Sequence, residues 1–88
     1  SGYALIEAMS AGLVPVVTNI PSFRAIAGDD CERWTPGDPA DLARLLLKTC
    51  SSDLDAQKVA VRARFNRELT WDAIGERTVR EYRALLGR

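Results

Sequence analysis

Histidine is absent from all 88 residues. Within this segment that removes imidazole metal sites and every Ser-His-Asp or Cys-His arrangement. Cysteine is scarce, and Cys31 and Cys50 lie too far apart for any metal or redox spacing. They read as two free thiols of a reducing compartment, with a bridge between them left to geometry that sequence does not give. Long apolar runs are lacking as well, and none approaches the roughly 20 residues needed to cross a bilayer. Net charge of either sign is missing, with twelve Lys and Arg against twelve Asp and Glu. Residues 1–44 are mildly acidic and residues 45–88 mildly basic, which is too weak a field to argue for nucleic acid. Internal repeats and low-complexity tracts are absent too.

What is present suits one small α/β unit. A chain of this length buries only roughly 60–65% of its unfolded surface, so its stability margin is thin. Residues 3–11 predict a helix closed by Gly12, built from Ala, Leu, Ile, Glu and Met. Val14 to Thr18 predicts a short strand buried on both faces, as in a parallel sheet. Residues 22–28 predict a short helix capped by Ser22 and ended by Gly28, and a second strand follows around Glu32 to Thr35. The stretch "PGDP" at 36–39 predicts a turn into a helix, with Asp38 as N-cap, Pro39 at the first helical position and Asp41 in the first turn. Leu42, Leu45, Leu46 and Thr49 share one face of that helix.

Residues 53–67 predict a further helix with Val59, Ala60 and Ala63 on its apolar side. Lys58, Arg62, Arg64 and Arg67 fall on its solvated side. Thr70 caps a last helix striped by Trp71, Ile74, Thr78, Tyr82 and Leu85. Two strands make a sheet too small to stand alone, so residues 1–88 read as a piece of a larger α/β layer.

The chemistry is concentrated in the opening "SGYALIEAMSAG". Glycine at a helix entry allows a ligand close to the backbone, and the free amides and dipole of the first turn favour an anion. Helical side chains lean toward the N-terminus, so Glu7 can reach back to that end and accept hydrogen bonds from a diol. A nucleoside diphosphate fits that pair of features. A plain partnership of Glu7 with the helix dipole fits as well. Against the second account, the apolar neighbours of Glu7 predict a packed helix, in which an unpartnered carboxylate is costly. On physics alone the two accounts stand level.

Elsewhere the bland accounts are stronger. Asp29, Asp30 and Glu32 lack the ligand count of a cation loop and read as a solvated turn. Lys58, Arg62 and Arg64 with Phe65 form a basic stripe that would suit an anionic surface, but a plain solvated helix face is the better account. Trp34 and Trp71 read as packing residues. The segment calls for neither a metal nor a resident cofactor.

The run "GYALIEAMSAGLVPVVTNI" resembles the donor-site segment of the group 1 glycosyltransferases, family 4 of the GT-B fold. That pattern has two glutamates separated by seven residues, then Ala-Met, small residues, Gly and a "PVV" strand ending in Thr. "TPGDPADLARLLL" resembles the family's "PPGDPEALAEALL", and "ELTWDAIGERTVREYRALL" its "FSWEAVAERLLALYRRLL". Three blocks in the right order cover nearly the whole chain.

The resemblance implies that residues 1–88 are the C-terminal part of a Rossmann-like, nucleotide-sugar-binding domain with short parallel strands and a helical tail. It implies transfer of a sugar, with retention, from a UDP- or GDP-linked donor. It further implies completion by an N-terminal half of the same protein, onto which the last helix crosses. A cytoplasmic location, peripheral to the inner membrane face, follows from the lipid-linked acceptors common in the family.

Glu7 matches the second glutamate, which in the family binds the ribose. Gly2, Tyr3 and Ala4 match the backbone amides near the diphosphate. The first glutamate would fall two positions before Ser1, and the 88 residues alone are expected to be inactive, with no catalytic base among them. Two stretches depart from the pattern: Ser22-Phe23-Arg24-Ala25 replaces a Gly-Gly-Ile-Pro-Glu, and Asp30-Cys31-Glu32-Arg33-Trp34 is far more polar than the usual "NGLLV". A sugar-nucleotide epimerase on the same scaffold, or a non-enzymatic module pairing through an open sheet edge, are the rival expectations.

Overall fold

A computed structural model describes residues 2–29 and 31–87. Asp30, one of the three acids considered for a cation, lies outside the described residues. The chain runs α1 (Tyr3–Ser10), β1 (Val16–Thr18), α2 (Pro21–Ala27), β2 (Glu32–Trp34), α3 (Pro39–Cys50), α4 (Leu54–Arg64) and α5 (Trp71–Leu86). A π-helical turn over Phe65–Leu69 prolongs α4.

β1 and β2 pair in parallel with Val16 opposite Glu32, Val17 opposite Arg33 and Thr18 opposite Trp34. Parallel neighbours require a crossover, which α2 supplies. Only the central Val17 of β1 is buried, while Val16 and Thr18 are half-buried. This corrects the expectation of a strand hidden on both faces: α2 and β2 leave part of it uncovered. β2 is half-buried throughout, and its charges are matched rather than hidden. Glu32 pairs with Lys48 of α3 at 2.9 Å, and Nη1 of Arg33 donates to the Gly28 carbonyl at 2.9 Å.

Local signals set most helix starts. The Asp38 side chain accepts from the Asp41 amide at 3.0 Å, with Pro39 at the first position. Thr70 accepts from the Ala73 amide at 3.1 Å. Asp53 does the same for α4, accepting from Ala56 at 3.0 Å. α2 differs from expectation: Pro21 begins it, Ile20 occupies the cap position, and Ser22 lies inside the first turn. Proline at the first helical position needs no donor, so the start moves ahead of the serine.

The apolar residues buried within the helices and strands are Met9, Val17, Ala27 and Leu45, one each from α1, β1, α2 and α3, and Pro15 just before β1 is buried with them. Met9 is the largest, and its unbranched thioether suits an irregular junction. Leu45 and Thr49 carry the inner face of α3, whereas Leu46 is exposed. α4 turns in the face of Gln57, Val61 and Arg64, all half-buried, and leaves Val59, Ala60 and Ala63 exposed. The expected apolar side is therefore rotated outward. Two arginines of α4 find carbonyl partners, and satisfying them fixes the helix orientation. α5 has no buried residue; Trp71, Tyr82 and Leu85 of its stripe are exposed.

Candidate functional site

α1 is eight residues long and follows Gly2 at its N-cap (φ −86°, ψ 13°), with no side-chain cap. Among the described residues its first backbone bond runs from the Ile6 amide to the Gly2 carbonyl at 3.0 Å. The amides of Tyr3, Ala4 and Leu5 therefore have no acceptor within the helix, which is the arrangement an anion would use. Tyr3 and Ala4 are exposed and Gly2 is half-buried. A Cβ at Gly2 would collide with Cδ1 of Ile26 in α2. The bare backbone there thus accommodates a neighbouring side chain, whereas sequence reasoning assigned its openness to a ligand.

Glu7 is exposed, which corrects the expectation that its apolar neighbours pack it. Met9 turns inward, Leu5, Ile6 and Ala8 are half-buried, and the carboxylate stands in solvent. The dipole account is weakened by the same geometry. No acid occupies the first turn of α1, and the Glu7 carbonyl already accepts from the Ala11 amide and the Ser10 hydroxyl at the closing end. Dipole stabilisation of an acid is confined to the first turn. Among the described residues no cation pairs with Glu7. Tyr3, Ala4 and Glu7 thus lie on one short helix, with Gly2 at its N-cap. From Gly2 to Glu7 the axial rise is about 7.5 Å.

Sequence reasoning missed the arginines that hold this helix in place. Nη1 of Arg62 donates to the Ser10 carbonyl at the end of α1, and its stem lies 3.4 Å from where a Gly12 Cβ would stand. Nε and Nη2 of Arg64 donate to the Ile26 and Ala25 carbonyls at the end of α2, at 2.9 and 3.0 Å. Gly12 and Gly28, both with φ near +78°, end the two helices in a region costly to other residues, and at Gly28 the missing side chain leaves room for the Arg64 guanidinium. The basic stripe of α4 is therefore not a free surface: two of its three cations are occupied by helix ends. The sequence signal was a charged residue two positions from another on a helix beside glycine-ended partners, which is too common to be diagnostic.

A cleft of about 60 Å³ lies at the far end of α1 from these amides, between Met9, Pro15, Ala27, Cys31, Val61 and Arg64. Burial pushes the Cys31 thiol above its ordinary value, against the opposing pull of Arg33. Cys31 and Cys50 are both free. Asp29 is exposed, 3.7 Å from Arg33, and Glu32 is engaged by Lys48. Among the described residues no three acids or thiols gather as a metal site, and no helix is long and apolar enough to cross a membrane.

The chain is 34% identical to a GDP-mannose:cellobiosyl-diphosphopolyprenol alpha-mannosyltransferase of Xanthomonas campestris, over 98% of this chain and 24% of that protein. Proteins of the same name from Xanthomonas oryzae pv. oryzae and Komagataeibacter xylinus are 32% and 31% identical, over 98% and 99% of this chain and 24% and 23% of their own. The chain spans about a quarter of the length of these curated relatives. No protein-family model matches it, and no solved structure matches it significantly.

Proposed function

We propose that the chain is the donor-binding part of a glycosyltransferase that moves mannose from GDP-mannose to a saccharide carried on a polyprenyl diphosphate. The observation that carries this reading is similarity along the whole chain to three proteins named for that reaction. The donor would place its diphosphate at the amides of Tyr3 and Ala4 beside Gly2, and its ribose hydroxyls at Glu7. A departing nucleoside diphosphate gains negative charge. Fixed amide donors aimed at that charge stabilise the transition state more than the ground state. The exposed side chain of Glu7 accepts from both ribose hydroxyls.

The remaining architecture follows the same reading: a Rossmann-like GT-B domain completed by sheet strands and an acceptor-binding half elsewhere in the protein. A polyprenyl-linked acceptor places the enzyme at a membrane surface, on the cytoplasmic side where nucleotide sugars are held. Retention of the anomeric configuration belongs to the proposal. The 88 residues by themselves hold no catalytic base and should transfer nothing.

The test uses the full-length protein with GDP-mannose, UDP-glucose and a polyprenyl-diphosphate-linked disaccharide. Mannosyl transfer from GDP-mannose, an α-linked product by NMR, and GDP binding weakened by Glu7→Ala are expected. Losing the ribose contacts should cost about 1.5–3 kcal/mol of GDP binding. Epimerised nucleotide sugar without acceptor, or GDP affinity unchanged by Glu7→Ala, would overturn the reading.

A further inference from the structure

Arg62 and Arg64 are two positions apart on α4, and residues at that spacing do not share a helix face. Each therefore reaches a different helix. Arg62 holds the closing end of α1 at Ser10, and Arg64 holds the closing end of α2 at Ala25 and Ile26. Ile26 in turn fills the space beside Gly2, at the opening end of α1. One helix thus locates both ends of α1, directly at one end and through a single side chain at the other. An eight-residue helix does not persist on its own, so its placement must come from such contacts.

The geometry points to Arg64 as a positioning residue for the nucleotide donor, acting through Ile26 on Gly2. This rests on the reading of α1 as the donor-binding helix. Arg64 is half-buried, and its guanidinium spans two successive carbonyls at the negative end of a helix dipole. Its planar fork suits that pair of acceptors, whereas a lysine would supply one point charge. The last turn of α2 is thereby held in register, and Ile26 becomes a fixed stop against the backbone that opens α1. If that stop moves, the amides of Tyr3 and Ala4 move with it. Arg64 touches no substrate in this arrangement.

The experiment measures GDP affinity and steady-state kinetics of the full-length protein, well below the melting temperature of each variant. Arg64→Ala should weaken GDP binding and raise KM for GDP-mannose about tenfold, equivalent to 1.4 kcal/mol, with kcat changed far less. Gly2→Ala should weaken GDP binding by driving a methyl into Ile26, and Gly2→Ala combined with Ile26→Ala should restore most of the loss. A merely structural role of Arg64 would not raise KM while leaving kcat nearly unchanged in folded protein. Should Arg64→Ala fail to fold, Arg64→Lys carries the test, with a smaller loss of GDP affinity expected.

Unchanged GDP affinity in the Arg64 variant, or a Gly2→Ala defect that Ile26→Ala does not relieve, overturns the positioning role. If Glu7→Ala weakens GDP binding in that same outcome, the reading of α1 as donor helix survives. If the parent protein does not bind GDP, both fall together.

Discussion

Nζ of Lys48 lies 2.9 Å from Oε1 of Glu32, joining α3 to the second strand. The contact explains how so polar a strand persists in the sheet. Glu32 faces a cation, Arg33 donates to the Gly28 carbonyl, and neither charge is stranded in a dry interior. Both partners keep substantial solvent contact, at 60% and 33% side-chain exposure, so water screens the attraction. A double-mutant cycle with Lys48→Ala and Glu32→Ala should give a coupling below about 1 kcal/mol that fades at high salt. A salt-insensitive coupling well above that value would mean that the pair acts as a buried one.

Thr49 presents the opposite case. It is 7% exposed on the inner face of α3, and among the described residues its hydroxyl has no hydrogen-bond partner. A buried hydroxyl without a partner forfeits its hydration with no return. Thr49→Val removes the polar atom and nearly preserves the shape. It should raise stability by up to about 1 kcal/mol, seen as a higher denaturant midpoint with unchanged m-value. A lower midpoint would mean that the hydroxyl is satisfied in solution.

The helix starts were legible because their causes are local. Asp38 and Thr70 each bond to an amide three residues on, and that spacing is written in the chain. Asp53 carries the same signal, at the start of the helix expected over 53–67. The orientation of α4 was not legible. Periodicity assigned its arginines to solvent, but the acceptors for Arg62 and Arg64 lie 52 and 38–39 residues away in sequence. Periodicity places Val59 inward for the same reason, since nothing in its own turn reveals which side faces α1 and α2. At the site, the identity of Glu7 and the glycine before the helix stood out in sequence. The exposure of that carboxylate and the presence of Ile26 against Gly2 depend on neighbours that no local pattern specifies.

The two thiols should differ in reactivity. Cys50 ends α3 on the surface, whereas Cys31 is partly buried and its Sγ donates to the Gly28 carbonyl at 3.6 Å. Burial raises the Cys31 pKa, so less of it is thiolate near neutrality. Iodoacetamide at pH 8 should label Cys50 first, with Cys31 following only slowly until denaturant is added. Equal labelling rates, read by peptide mass spectrometry, would contradict both the burial and the shift.

Asp41 carries the clearest acid-side dependence. Its Oδ2 accepts from the Thr35 amide at 2.7 Å, and its Oδ1 accepts from Nη2 and Nε of Arg44 at 2.7 and 3.1 Å. The Thr35 amide first, and then Arg44, hold the carboxyl below its ordinary value of 3.8. A group with a lowered pKa in the folded chain stabilises it above the unfolded value, and that contribution is lost as pH falls through the folded value. Near neutral pH the link between β2 and α3 is therefore complete, and it weakens only below about pH 3.8. NMR titration of the Asp41 carboxyl carbon should give a midpoint under 3.8. Exchange of the Thr35 amide, corrected for its intrinsic pH dependence, should accelerate over the same range. Asp41→Asn should lose the acid-side transition of that amide while leaving the Asp38 cap in place. A midpoint at or above 3.8 would mean that the carboxylate is not held by these donors.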